Sequence, residues 1–137
     1  MANGTIAFDT LQTSGQITGT AKSLDTDYVV NGSAKAWIHF NGTGTPSIIK
    51  SYNTGSITDN GTGQYHVSIT NALADADFVA LGSVIGDSAT SDRTNALVAS
   101  RDSKTTTRIP INTINVANAG AQADWTNISG VVIGDLA

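Results

Sequence analysis

Cysteine and glutamate are absent from this 137-residue chain, and proline (two), histidine (two) and methionine (one) are scarce. Without cysteine there is no disulfide framework, no thiolate metal centre and no thiol redox chemistry. Without glutamate every acidic side chain is aspartate; Glu favours helix interiors whereas Asp favours turns and caps, so little helix is expected. Cations are few as well: seven Lys and Arg against eleven acidic residues leave a net charge of -4. They are scattered from Lys22 to Arg108 and form no patch, which argues against nucleic acid as a partner, because that binding depends on Lys and Arg at phosphates. No apolar run approaches the roughly 20 residues that span a bilayer. The start, Met1-Ala2-Asn3-Gly4, lacks the basic stretch and apolar core of a secretory leader, so the chain is expected to be soluble as made. Its length suits a single domain.

What is abundant is turn and strand chemistry. Two near-identical turns, Asn41-Gly42-Thr43-Gly44 and Asn60-Gly61-Thr62-Gly63, lie between runs rich in aromatic and β-branched residues. Asn-Gly supplies the positive φ angles of a tight turn and the second glycine suits a bulge, so both are read as hairpin connections. Ala34, Ala36, Ile38 and Phe40 alternate with Lys35, Trp37 and His39, and Gln64, His66, Ser68 and Thr70 alternate with Tyr65, Val67 and Ile69. Period 2 marks strands with two distinct faces.

Between them, Pro46 opens a run through Ile48, Ile49 and Tyr52, and Gly55 and Ile57 lead to the second turn. Asn71 to Asp77 is too short for more than a single turn or a loop. The run Phe78 to Ile85 is almost continuously apolar, as a strand buried on both sides is. Ala96 to Ser100 and Thr106 to Ile111 bracket a third hairpin turn at Asp102-Ser103-Lys104, and Pro110 is expected at an edge or bulge. Trp125 anchors the end of a small, polar stretch, and Val131 to Ile133 form a last strand. About eight to ten strands fit, which suits an all-β fold: a small antiparallel sandwich, jelly roll or barrel. Residues 1–27, thinly apolar, form an arm or a first hairpin, and residues 28–137 the β-module.

The stretch Ala34 to Thr45, followed by Ser51-Tyr52-Asn53 and Ser56 to Tyr65, resembles a module of tailed-phage virion proteins, especially tail fibres. There an Ala-Lys-Ala-Trp strand, an Asn-Gly-Thr-Gly turn, a Ser-Tyr-Asn element and an Ile-Thr-Asp-Asn-Gly-Thr-Gly-x-Tyr hairpin recur in this order. The resemblance implies a non-catalytic all-β module on the outside of a virion, commonly homotrimeric, made in the host bacterial cytoplasm. Neither a heptad run nor a repetitive shaft accompanies it here. The expectation is therefore a capsid decoration (cement) protein or short head fibre bound to the major capsid protein. The alternative is a tail-fibre or knob module on a tail protein that binds host surface polysaccharide.

The chemistry-bearing residues are weighed against that frame. His39 and His66 each lie next to an Asn-Gly turn and could meet at a metal, but no third ligand stands at ligand spacing, so no metal and no cofactor are expected. Asp25 and Asp27, Asp75 and Asp77, and Asp87 and Asp92 form loose pairs without the spacing of a calcium loop. No nucleophile elbow, phosphate loop or paired-carboxylate motif appears in context, so no enzyme is expected. If Ala36, Ile38 and Phe40 face the core, Trp37 faces outward, and a large ring there is a subunit contact or a sugar-stacking platform. Trp37, His39, Tyr52, Tyr65 and His66 are the expected contact or platform residues.

Overall fold

The computed structural model describes residues 32–85, 96–98 and 104–137. The arm or first hairpin expected over residues 1–27, Asp25, Asp27, Asp87 and Asp92, and the turn at Asp102-Ser103 lie outside the described residues. From Ala36 onward the described residues form nine strands: β1 Ala36–Asn41, β2 Ser47–Tyr52, β3 Thr54–Gly61, β4 Gln64–Ile69, β5 Val79–Ile85, β6 Ala96–Val98, β7 Arg108–Asn115, β8 Ala121–Gln122 and β9 Asn127–Ile133. A short 3-10 turn, Val116–Asn118, precedes β8.

Two antiparallel sheets result, one in the order β2-β1-β9-β5 and the other β3-β4-β7-β6, with β8 added beside β7. Alternation builds the space between them. Ala36, Ile38 and Phe40 from β1 and Ile128 and Val132 from β9 meet Tyr65, Val67 and Ile69 from β4 and Ile109 and Ile111 from β7 in one buried cluster. The Phe40 and Tyr65 rings cross between the sheets edge to face, with centroids 5.2 Å apart. The fold is a β-sandwich, as the strand count and period indicate.

The chain passes from one sheet to the other at a single residue. β2 ends at Tyr52 and β3 begins at Thr54, and Asn53 between them has φ 52°, the left-handed region that few side chains adopt. Asparagine tolerates it better than most residues, and here its amide bonds to segments on either side of the corner. Nδ2 donates to the carbonyls of Lys35 (2.9 Å) and Asn71 (3.2 Å), and Oδ1 accepts from the Asn71 amide (2.7 Å). The Ser-Tyr-Asn element is thus the corner of the sandwich.

The turns differ in detail from the sequence expectation. In the first, Asn41 and Gly42 do not take positive φ; Gly44 does, at 64°. Asn41 Oδ1 instead accepts from the amide and the hydroxyl of Thr43, both at 2.8 Å. Gly42 is glycine for want of room, since a Cβ there would stand 2.5 Å from Tyr65 Oη and 2.8 Å from Ile128 Cδ1. In the second turn Gly61 and Gly63 have positive φ and the β3–β4 register shifts at Gly61, the expected bulge.

Two strand readings are corrected. β5 is an edge strand with Val79, Leu81 and Ile85 more than half exposed, not a strand buried on both sides. Pro110 is fully buried in β7, which lies between β4 and β6, not at an edge. The bonds from Ile69 N to the O of Thr107, just before β7, and from Thr113 N to Gly63 O show odd-numbered residues of this segment bonding on the β4 side. Pro110, an even position, turns its nitrogen to the other side, where the described pairing with β6 covers only Asn112 to Ile114.

Candidate functional site

Because Ala36, Ile38 and Phe40 point inward, Trp37 and His39 point out of the β2-β1-β9-β5 sheet, and the same parity turns Val131, Ser129, Leu81 and Ser83 outward. Strand register then arranges these residues in rows. Tyr52 pairs with Trp37, Trp37 with Val131, and Val131 with Leu81, so one apolar row crosses all four strands. One step along, Lys50, His39, Ser129 and Ser83 form a polar row by the same pairings. Val79 beside Ile133 extends the apolar side, and Ile85 stands beside Asn127 beyond the polar row.

Among the described residues the apolar row is uncovered. Trp37 is 39% exposed, Tyr52 57%, Leu81 55% and Val79 53%, values that place large apolar side chains in water. The edge strand β2 is exposed along its whole length, with Ile49 at the bulge opposite His39 and Phe40. His39 Nε2 lies 3.4 Å from Asn127 Oδ1.

The other expected residues lie elsewhere. His66 points out of the opposite sheet, in a shallow polar groove with Thr58, Ser68, Thr105, Thr107 and Arg108. The two histidines are therefore on opposite outer faces of the sandwich and do not meet. Among the described residues no three His, Cys, Asp or Glu side chains gather as metal ligands. Asp75 and Asp77 make a local turn, Asp75 Oδ1 accepting from the Asp77 amide at 2.8 Å.

Tyr65 is a correction: it is 1% exposed and belongs to the core, so no ligand can stack on it. Its hydroxyl donates to Asp124 Oδ1 at 2.6 Å, and the Gly42 carbonyl stands 3.0 Å away as a second acceptor for the same proton. Asp124 Oδ1 also accepts from the Gly63 amide at 2.6 Å, and Trp125 O accepts from the Gly42 amide at 2.8 Å. The two Asn-Gly-Thr-Gly turns are thus tied together at one end of the sandwich through the segment 124–125. Burial, and then the hydrogen bond and charge of Asp124 with the charge of Asp59 behind it, push the Tyr65 hydroxyl well above the ordinary tyrosine range.

Three residues of this arrangement escape a reading of the sequence. Val131 is visible only as part of a final strand, Leu81 looks like core within a continuous apolar run, and Asp124 meets Tyr65 across 59 residues without any local motif. Chemically, the outer face of the β2-β1-β9-β5 sheet can bury apolar area against another surface, and its aromatic pair can stack on a flat apolar ring. Comparison with protein-family models, with curated proteins and with solved structures finds no match.

Proposed function

We propose that this chain is a non-enzymatic structural protein on the outside of a tailed-phage particle. It is a homotrimeric capsid decoration or short head-fibre protein that binds the major capsid protein and stabilises the shell. The observation that carries the reading is the apolar row Tyr52, Trp37, Val131 and Leu81, which among the described residues is uncovered and has no counterpart on the other outer face. A sandwich needs apolar inner faces to fold; an apolar outer face serves contact. The ordered resemblance of Ala34 to Tyr65 to the virion module supplies the biological setting. Localisation to the virion, after synthesis in the bacterial cytoplasm, follows from that setting, and nucleic acid and membrane have no part in it.

The experiment is cryo-electron microscopy of the particle with this chain labelled. Density over the capsid lattice is expected, and density confined to the tail removes the decoration reading. A second reading is favoured by one observation: Trp37 and Tyr52 stand directly opposite on adjacent strands, both exposed, beside the hydroxyl, imidazole and ammonium groups of the next row. That pair suits a tail knob that stacks on host surface polysaccharide. Glycan binding abolished by Trp37→Ala, together with tail location, establishes this alternative in place of the first.

A further inference from the structure

Two tetrapeptides of identical sequence, Asn41-Gly42-Thr43-Gly44 and Asn60-Gly61-Thr62-Gly63, stand in opposite environments, and the difference bears on a reaction that an Asn-Gly pair carries within itself. The main-chain nitrogen that follows an asparagine can attack the side-chain carboxamide and close a succinimide ring. Glycine in second place opens this route, because it has no side chain to obstruct the approach and the widest choice of φ and ψ. Ring closure is then decided by room, by the freedom of the carboxamide and by what takes the proton from the nitrogen.

At the first turn all three are unfavourable. Gly42 is buried, and a Cβ there would meet Tyr65 Oη at 2.5 Å and Ile128 Cδ1 at 2.8 Å, so the peptide has no space to rotate. Its nitrogen donates to the Trp125 carbonyl at 2.8 Å, an oxygen too weakly basic to remove the proton. The Asn41 carboxamide is pinned as well, Oδ1 accepting from the amide and the hydroxyl of Thr43.

At the second turn each condition is reversed. Asp59, Asn60 and Gly61 are exposed, and nothing lies within 4 Å of the position that a Gly61 Cβ would take. Asp59 pairs with Tyr65 and Gly61 with Gln64, which leaves Asn60 as the unpaired residue of the bulge. Among the described residues its carboxamide has a single long hydrogen bond, from Nδ2 to Thr58 O at 3.5 Å. The Gly61 nitrogen donates to Asp59 Oδ1 at 2.9 Å, so the proton that ring closure must expel already points at a carboxylate within general-base reach.

We infer that Asn60 is a site of spontaneous covalent modification, at which the Gly61 nitrogen displaces the side-chain amide with Asp59 as the base, while Asn41 is preserved. A bond forms between the Gly61 nitrogen and Asn60 Cγ, and the N–H proton passes to Asp59. The Cγ–Nδ2 bond then breaks, and Nδ2 leaves as ammonia with that proton. Water opens the succinimide at either carbonyl carbon: breaking the bond from Cγ to the Gly61 nitrogen gives aspartate, and breaking the bond from the main-chain carbonyl carbon gives isoaspartate. No oxidant or reductant is involved. Either product adds one negative charge beside Asp59 to a chain of net charge -4. Isoaspartate also lengthens the main chain by one carbon, at a bulge where the ladder is already out of step.

The test is peptide mapping by mass spectrometry of the full chain aged in buffer at neutral pH, with fragmentation that separates isoaspartate from aspartate. In the folded chain the Asn60 peptide is expected to convert to the two products while the Asn41 peptide stays intact. In the same chain held unfolded in guanidinium chloride both peptides should convert at similar rates, because they share the Asn-Gly-Thr-Gly sequence. Asp59→Ala should slow conversion at Asn60 in the folded chain. It should also replace a rate that is level across neutral pH with one that rises with hydroxide concentration, a signature that loosening of the turn alone does not produce. Asp59→Ser gives the same comparison if Asp59→Ala does not fold. Equal conversion of Asn41 and Asn60 in the folded chain, or an Asn60 peptide that stays intact, overturns the inference. An unchanged rate and pH dependence in the Asp59 variants overturns the part assigned to that carboxylate.

Discussion

The two outer faces of the sandwich obey the same period and differ in chemistry. Outward positions of β1, β2, β5 and β9 carry Trp37, Tyr52, Leu81 and Val131, whereas those of β3, β4 and β7 carry Thr58, His66, Ser68 and Arg108. Inward positions of both sheets are alike, from Ile38 and Phe40 on one side to Val67 and Ile111 on the other. Packing between the two sheets requires the inner match and does not by itself dictate the outer contrast. Among the described residues, then, one outer face follows the usual preference of polar side chains for water and the other departs from it.

The largest effects are expected where both sheets meet. Phe40→Ala empties a site with no exposure beneath the Tyr65 ring and should lower stability by about 3–5 kcal/mol in urea unfolding. It weakens both faces equally, since it removes the packing that aligns the sheets. Next comes the corner that joins them. Asn53→Ala deletes three side-chain hydrogen bonds and places a Cβ residue without amide support in the left-handed region, for a loss of about 2–3 kcal/mol by the same measurement.

Tyr65→Phe is smaller at neutral pH, about 1.5–2 kcal/mol, the lower part of the range for a hydrogen bond to a charged group such as Asp124. It has a separate signature in alkali. The folded state holds the Tyr65 proton above the ordinary tyrosine value, while the unfolded chain releases it near pH 10. The stability linked to this group is complete below about pH 10 and is lost above it, by up to about 1.4 kcal/mol per pH unit, until the folded-state value is passed. Tyr65→Phe should flatten that alkaline decline in unfolding midpoints measured from pH 8 to 12; an equally steep decline would place the titrating group elsewhere.

The smallest effects on stability sharpen the contrast between the faces. Trp37→Ala and His66→Ala both alter outward side chains, and each should change the stability of the isolated chain by less than about 1 kcal/mol. They should separate in solubility and association. On the proposed decoration role, Trp37→Ala should reduce co-sedimentation with the particle, whereas His66→Ala should leave it unchanged.

Much of the inner architecture was legible. Strands β1 and β4 follow from alternation at Ala36 to Phe40 and at Gln64 to Thr70, and the outward direction of Trp37 follows from the first of these. Period alone cannot say which sheet a strand joins. His39 and His66 look like neighbours beside twin turns, yet the left-handed Asn53 sends the chain across the sandwich between them, and they end on opposite faces. β5 was misleading for a related reason. A run such as Phe78 to Ile85 has the same composition whether its second face is covered within the chain or left apolar on the surface. Tyr65 was misassigned as a surface ring although it shares the parity of Val67 and Ile69, and the partner that accounts for its hydroxyl, Asp124, lies too far along the chain to be inferred.

Hydroxyl-radical footprinting of the protein, alone and in the presence of the particle that the proposed role assigns it to, tests the contrast between the faces most directly. Trp37, Tyr52 and Leu81 should be protected relative to the dissociated chain while His66 remains labelled to the same extent in both. Equal labelling of Trp37 in the assembled and dissociated protein, or protection centred on His66, would contradict the account.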